Sequence, residues 1–267
     1  MLVLLPPSQG KAAPARRGRP LDLPGLSFPE LTVARSLLLD ALVAVCSGHP
    51  EQARVTLGLS VGLAGEVELN RRLLTSATRT VADLYTGILY DALDLPSLPT
   101  QARRRAGRSL LVFSGLWGVL RPHDRVPAYR LSPEVRLPGI GTLNAHWRKP
   151  LAAALTSYTA GALVLDLRST SYASMWRPAG GSADRTVTMR VLHEQRPGDP
   201  TSRAVVSHFN KATKGRLVRD LLVAGVDPRT PAALAATLAD LGYTTEPGPG
   251  RPAAGRPHQL DVVVRDL

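Results

Sequence analysis

Short apolar runs of strand length constrain this chain more than any other feature. Leu2-Val3-Leu4-Leu5 empties into Pro6-Pro7-Ser8-Gln9-Gly10-Lys11, and Leu110-Leu111-Val112-Phe113 into Ser114-Gly115. Residues 163–167 form a third run, closed by Arg168-Ser169-Thr170. Each reads as a buried strand that ends in polar residues able to line a site. The longest apolar runs, such as 41–46 and 162–165, fall far short of the roughly 20 residues that span a bilayer. The apolar start breaks at Pro6-Pro7 with no basic stretch before it, which argues against a signal peptide.

Between these runs the pattern is mixed. Leu31, Ala34, Leu38, Leu42 and Val45 recur at steps of three and four after Pro29, the spacing of an amphipathic helix. Further helices are expected over 66–74, over 81–93 through Tyr85-Thr86-Gly87, and over 217–223. Residues 186–192 alternate as a half-exposed strand does. Residues 203–209 and 260–264 are also strand candidates. Residues 12–27, with Arg16, Arg17 and Arg19, read as a mobile surface loop, and the Pro/Gly-rich 244–258 as irregular. No βαβ cadence, internal repeat or linker emerges. The expectation is a single α+β or irregular mixed α/β domain over 1–267, for which 267 residues and 44% apolar content supply an ample core.

Thirty-three basic residues against 21 acidic ones give a net charge of +12. A surplus of that size favours polyanions such as nucleic acid, nucleotides or phosphorylated substrates. A compositional origin competes with this, because only four of the 33 are lysines (Lys11, Lys149, Lys211, Lys214) in a chain rich in Ala, Pro and Gly. The single Cys46 excludes an internal disulfide and a Cys-based zinc cage. Six dispersed histidines argue against a dedicated metal site, and no cofactor motif is present.

Three clusters hold the candidate chemistry. In Ser207-His208-Phe209-Asn210-Lys211-Ala212-Thr213-Lys214-Gly215-Arg216, followed by Arg219, a strand is expected to end near Phe209 with Asn210 capping a helix. That places Lys211 and Lys214 at the helix N-terminus, where cations oppose the dipole unless they help to hold an anion. In Ser114-Gly115-Leu116-Trp117-Gly118-Val119-Leu120-Arg121-Pro122, continuing to Tyr129-Arg130, Arg121 and Arg130 can clasp phosphates while Trp117 or Tyr129 stacks on a base. In Asp166-Leu167-Arg168-Ser169-Thr170-Ser171-Tyr172, Asp166 and Tyr172 are the acid/base candidates, with a strand-end salt bridge as the competing reading.

These clusters, in this order, resemble the YaaA family of peroxide-stress proteins. The likeness takes in Leu4-Leu5-Pro6-Pro7-Ser8, Tyr85-Thr86-Gly87, the Gly-Leu-Trp-Gly-Val-Leu-Arg-Pro stretch at 115–122 with Tyr129-Arg130-Leu131, Trp147, Asp166 to Tyr172, and Lys211 with Lys214-Gly215. The resemblance implies a cytoplasmic bacterial protein of mixed α/β architecture with a basic cleft. It also implies protection from hydrogen peroxide through limiting reactive iron, and DNA binding through a helix-hairpin-helix-like element. The corresponding region is Leu57-Gly58-Leu59-Ser60-Val61-Gly62-Leu63-Ala64-Gly65, with Arg71 and Arg72 just beyond. One cysteine and no ligand cluster rule out a thiol peroxidase with an internal resolving cysteine, so any effect on peroxide damage is expected to be indirect.

Two functions follow as expectations. One is a DNA-binding stress protein using Arg71 and Arg72 beside the cleft. The other is an enzyme or binding protein for a nucleotide-like small molecule, held by Lys211, Lys214 and Arg121, with Asp166 as acid/base.

Overall fold

The computed structural model describes residues 1–196, 198–250 and 253–265, with the backbone alone at Ser207 and His208. Strand β1 (Leu2–Leu5) leads through a long surface segment to α1 (Thr32–Ser47), α2 (Pro50–Thr56) and α3 (Gly65–Arg71). Then come β2 (Arg79–Thr80), α4 (Val81–Leu84), α5 (Ile88–Leu93) and α6 (Thr100–Ser109). The middle of the chain holds β3 (Leu110–Ser114), β4 (Gly118–Leu120), β5 (Arg125–Val126), β6 (Arg136–Leu137), β7 (Gly141–Thr142) and α7 (Leu143–Leu155). The last third supplies β8 (Val164–Asp166), α8 (Thr170–Ala173), β9 (Thr186–Glu194), β10 (Arg203–Ala204), α9 (Ser207–Ala224), α10 (Pro231–Asp240), β11 (Thr244–Pro247) and β12 (His258–Val264).

The architecture is mixed α/β around one mainly parallel sheet, ordered β11-β12-β9-β8-β1-β3-β4, with β10 paired to the far end of β9. Strands β12, β9, β8, β1 and β3 run parallel, while β11 and β4 close the edges antiparallel. Every residue of β1, β3 and β8 is buried, as expected of parallel strands covered on both faces. From β1 the chain moves to β3 on one side, and from β8 it moves to β9 on the other. The two connections part between β1 and β8, and such a switch point leaves a crevice at the carboxyl ends of the strands.

The Gly-Leu-Trp-Gly-Val-Leu stretch is the tight β3–β4 hairpin, closed where Ser114 pairs Gly118. Gly118 has φ +73, and a Cβ there would meet the Trp147 ring at 2.8 Å, so only glycine fits. Arg35, fully buried on α1, clamps the hairpin by donating to the carbonyls of Trp117 (3.0 Å), Val119 (2.8 Å), Ser27 (2.8 Å) and Phe28 (3.3 Å). Burial lowers that guanidinium to about 10. The buried apolar side chains from β1 through β12 form one contiguous cluster.

Several sequence expectations are corrected. The helix expected over 81–93 is two helices, α4 and α5, because Gly87 takes φ +95 between them. The strand expected over 203–209 covers only Arg203 and Ala204, and α9 already begins at Ser207. Its N-cap is therefore Val206, so Lys211 and Lys214 lie beyond the first turn and the helix-dipole argument for an anion there lapses. The irregular stretch after 244 contains β11, and α6, α7 and α10 had no counterpart in the sequence pattern.

Candidate functional site

The crevice is built from the loop that leaves β1. Pro6-Pro7 cannot extend the strand ladder, and the chain turns so that residues 10–12 lie against the break between α4 and α5. Ala12 N–H donates to Leu84 O at 2.8 Å, Thr86 N–H to Gly10 O at 3.2 Å, and Lys11 bridges Tyr85. A Cβ at Gly87 would stand 3.2 Å from Ser8 Oγ, so Tyr85-Thr86-Gly87 acts as the cradle of this loop.

Lys11 was absent from the sequence-derived candidates, yet it is the best-placed group. Its Nζ donates to Ser8 O at 3.1 Å and lies 4.3 Å from the Tyr129 ring centroid and 5.5 Å from that of Tyr85. Among the described residues no carboxylate forms an ion pair with it. Burial, and then the nearby Arg130 charge, lower the ammonium to about 7, against a partial pull upward from Glu66.

Beneath Lys11 runs a buried hydroxyl chain. Tyr85 and Tyr129 share a 2.8 Å hydrogen bond, and Tyr129 and Ser114 one of 2.7 Å. Ser114 Oγ accepts the N–H groups of Leu116 and Trp117 at 3.2 and 3.0 Å. Burial raises the Tyr85, Tyr90 and Tyr129 phenols far above their ordinary range, so all three stay protonated. Tyr172 on α8 is half-buried and also raised, first by burial and then by the charges of Tyr129 and Glu134.

Arg130 is fixed by α3. Its N–H donates to Asn70 Oδ1 at 2.9 Å, and Asn70 Nδ2 returns a bond to Arg130 O at 2.7 Å. Its guanidinium donates to Gln9 O at 3.2 Å. Lys11, Arg130, Tyr172, Ser8 and Gln9 thus line a narrow cavity of about 20 Å³, room for one water-sized group. On the other side of α8 a larger cavity of about 560 Å³ is lined by Asp166, Arg168, Arg177, Thr188 and Arg256, among others.

The sequence-derived residues fall into three groups. Asp166, Tyr129, Arg130, Tyr172 and Lys214 meet around the crevice. Asp166 is gripped bidentately by Arg168 at 2.9 and 2.6 Å, and Arg168 lies 4.1 Å from the Phe113 ring centroid. Burial lowers the half-buried Lys214 amine, and the charge of Asp166 opposes that shift. Arg121 and Arg219 spend their donors on structure. Arg121 bonds Gly107 O (2.8 Å), Arg108 O (3.0 Å) and the Tyr158 hydroxyl, and Arg219 bonds Leu93 O (3.0 Å), Asp94 O (2.8 Å) and Ser97 Oγ (2.9 Å). Trp117 is wholly buried with its ring edge-on to Tyr129, which leaves no face for a base. Lys211 points outward, exposed. Arg71 and Arg72 are both paired with Glu68, on α3 after the turn from α2. Only one signal could have found Lys11: a lysine six residues beyond a buried strand and directly after Gly10.

Comparison with known proteins agrees over the whole length. The sequence profile of the peroxide stress protein YaaA family matches residues 1–248. A UPF0246 protein of Streptomyces coelicolor is 56% identical over 270 residues, covering 100% of both chains. One of Corynebacterium efficiens is 39% identical over 94% of this chain and 97% of its own. One of Idiomarina loihiensis is 30% identical over 73% and 79%.

Proposed function

The chain belongs to the peroxide stress protein YaaA family, and we propose that it binds a phosphate-bearing, nucleotide-like ligand in the larger cavity at the carboxyl end of β8. The observation that carries this is the cavity of about 560 Å³ at the carboxyl end of β8, beside Thr188 and Met189 of β9, with Arg168, Arg177 and Arg256 on its wall. That volume suits a nucleotide, and the carboxyl ends of the parallel strands are where α/β sheets take their ligands. Arg168 is neutralised by Asp166, so Arg177 and Arg256 carry the attraction for phosphate. Cys46 takes no part, since burial pushes its thiol up to about 11.

Calorimetry with a panel of nucleoside monophosphates tests the proposal. Binding that weakens about tenfold or more in Arg177→Ala/Arg256→Ala supports it, since one charge-assisted contact contributes roughly 1.5–3 kcal/mol. Absence of binding across the panel contradicts it.

DNA binding is the second reading, favoured by the Asn70–Arg130 bonds, which join the α2–α3 segment to the crevice wall. Duplex affinity that falls steeply with salt is its signature. Because Glu68 already engages Arg71 and Arg72, a Glu68→Gln variant binds duplex more tightly under this reading. In that case peroxide protection runs through DNA.

A further inference from the structure

We propose that Lys11 is a nucleophile that condenses with the carbonyl group of an aldehyde- or ketone-bearing sugar phosphate, the carbonyl alone entering the narrow cavity and forming an imine there. The inference extends the phosphate reading of the larger cavity to the narrow cavity on the other side of α8, where Arg130 supplies the cation. It adds the reactive group and the ligand's chemical class.

Four features converge. Lys11 Nζ has one hydrogen-bond partner, Ser8 O, and no carboxylate in ion-pair range among the described residues. Its amine borders a space of about 20 Å³, the size of a single oxygen-bearing group. The aromatic faces of Tyr129 and Tyr85 hold it without neutralising it. Arg130 stands beside it, both disfavouring the ammonium and offering positive charge to an anionic ligand. Desolvation next to another cation is the environment in which lysines become Schiff-base nucleophiles.

The step balances without a redox partner. The amine lone pair attacks the carbonyl carbon, the N–C bond forms, and the C=O π pair moves to oxygen. A proton passes from nitrogen to that oxygen, a second proton comes from solvent, and water leaves. A protonated imine remains. The charged and titratable groups facing Nζ are Arg130, Glu66, Tyr85, Tyr129 and Tyr172. The tyrosines stay protonated, so Arg130 and Glu66 set the local charge through neutral pH.

Borohydride trapping on the full chain, read by peptide mass spectrometry, tests this. Three probes are used: glyceraldehyde 3-phosphate, phosphate-free glyceraldehyde, and a duplex with one abasic site. At pH 7 about half of Lys11 is neutral, against on the order of one in a few thousand for an ordinary lysine. Lys11 is therefore expected to label up to about a thousandfold faster than an ordinary exposed lysine. Labelling with midpoint near pH 7, and its loss in Lys11→Arg and in Lys11→Met, the latter melting no lower than the unsubstituted chain, completes the expected result. Faster trapping by the free sugar phosphate or by the abasic duplex identifies the source of the ligand. Label spread over the surface lysines, or no Lys11 adduct with any probe, overturns the inference even where calorimetry shows nucleotide binding. Lys11 labelling at equal rates by phosphorylated and phosphate-free glyceraldehyde instead overturns the phosphate reading and leaves the nucleophile in place.

Discussion

Two regions of the central sheet handle charge in opposite ways. At the β9–β12 end cations and carboxylates are matched. Arg190 grips Asp261 at 2.8 and 2.6 Å, and Arg203 joins Glu194 to Glu246 while Arg265 adds to Glu194. At the β1–β8 centre of the sheet one cluster holds a matched pair, Asp166–Arg168, beside two desolvated amines, Lys11 and Lys214, that it does not neutralise. Matched charges at a sheet edge contribute architecture. A desolvated, unmatched amine costs stability and persists where chemistry uses it.

The sharpest contrast is between two bidentate Arg–Asp pairs. Asp166 and Arg168 are both buried, so Asp166→Asn strands a guanidinium in the core and lowers unfolding free energy by about 3 kcal/mol. Asp261→Asn frees Arg190 into solvent and costs about 1 kcal/mol, because the arginine side chain is 44% exposed. Denaturant titration of both variants checks the order, and equal losses would break the comparison.

The next contrast concerns glycines. A Cβ at Gly215 would run into the Leu89 carbonyl oxygen and lie 2.8 Å from Ala92 Cβ and 3.0 Å from Leu93 N, rigid backbone of α5 that sets where α9 holds Lys214. Gly215→Ala costs about 2 kcal/mol by overpacking. A Cβ at Gly248 would stand 2.6 Å from Gln259 Cβ, which no rotamer change moves, so Gly248→Ala also costs about 1–3 kcal/mol, whereas a Cβ at Gly107 inside α6 meets nothing within 4 Å and Gly107→Ala gains up to about 1 kcal/mol of helix propensity.

The two regions also titrate on opposite sides of neutrality. Lys11 falls to about 7 in the folded state, so below pH 7 both states hold the proton and the burial cost is fully present. Between pH 7 and the ordinary lysine range the unfolded chain binds the extra proton, and stability rises with pH by up to about 1.4 kcal/mol per unit. Lys11→Met removes that slope. In the other region Glu194 is lowered to about 2, first by the Gly198 N–H and then by Arg203 and Arg265. Its contribution is complete above about pH 4.5 and fades as pH falls toward 2, a smaller loss that Glu194→Gln abolishes. Melting curves from pH 2 to 10 on the three proteins separate the two.

Much of this frame was legible in the sequence. The buried runs gave β1, β3 and β8, the steps of three and four gave α1, and the polar ends of those strands marked Asp166, Tyr129, Arg130 and Tyr172. The rest depends on contacts remote in sequence. Lys11 looked like the start of a surface loop because its environment comes from Tyr85, Tyr129 and Arg130. Arg121 and Arg219 looked like phosphate clasps because nothing local reveals that distant carbonyls take their donors. Lys211 and Lys214 were set at a helix start because the β-branched Val205-Val206 looks like strand, whereas the helix begins directly after it.

The central claim is that the crevice holds a lysine that burial and Arg130 leave about half neutral at pH 7. With only four lysines in the chain, an NMR pH titration of side-chain-labelled lysine resolves each one. The account predicts a Lys11 midpoint near 7, well below the ordinary lysine range. A Lys11 midpoint in the ordinary range near 10 would contradict it.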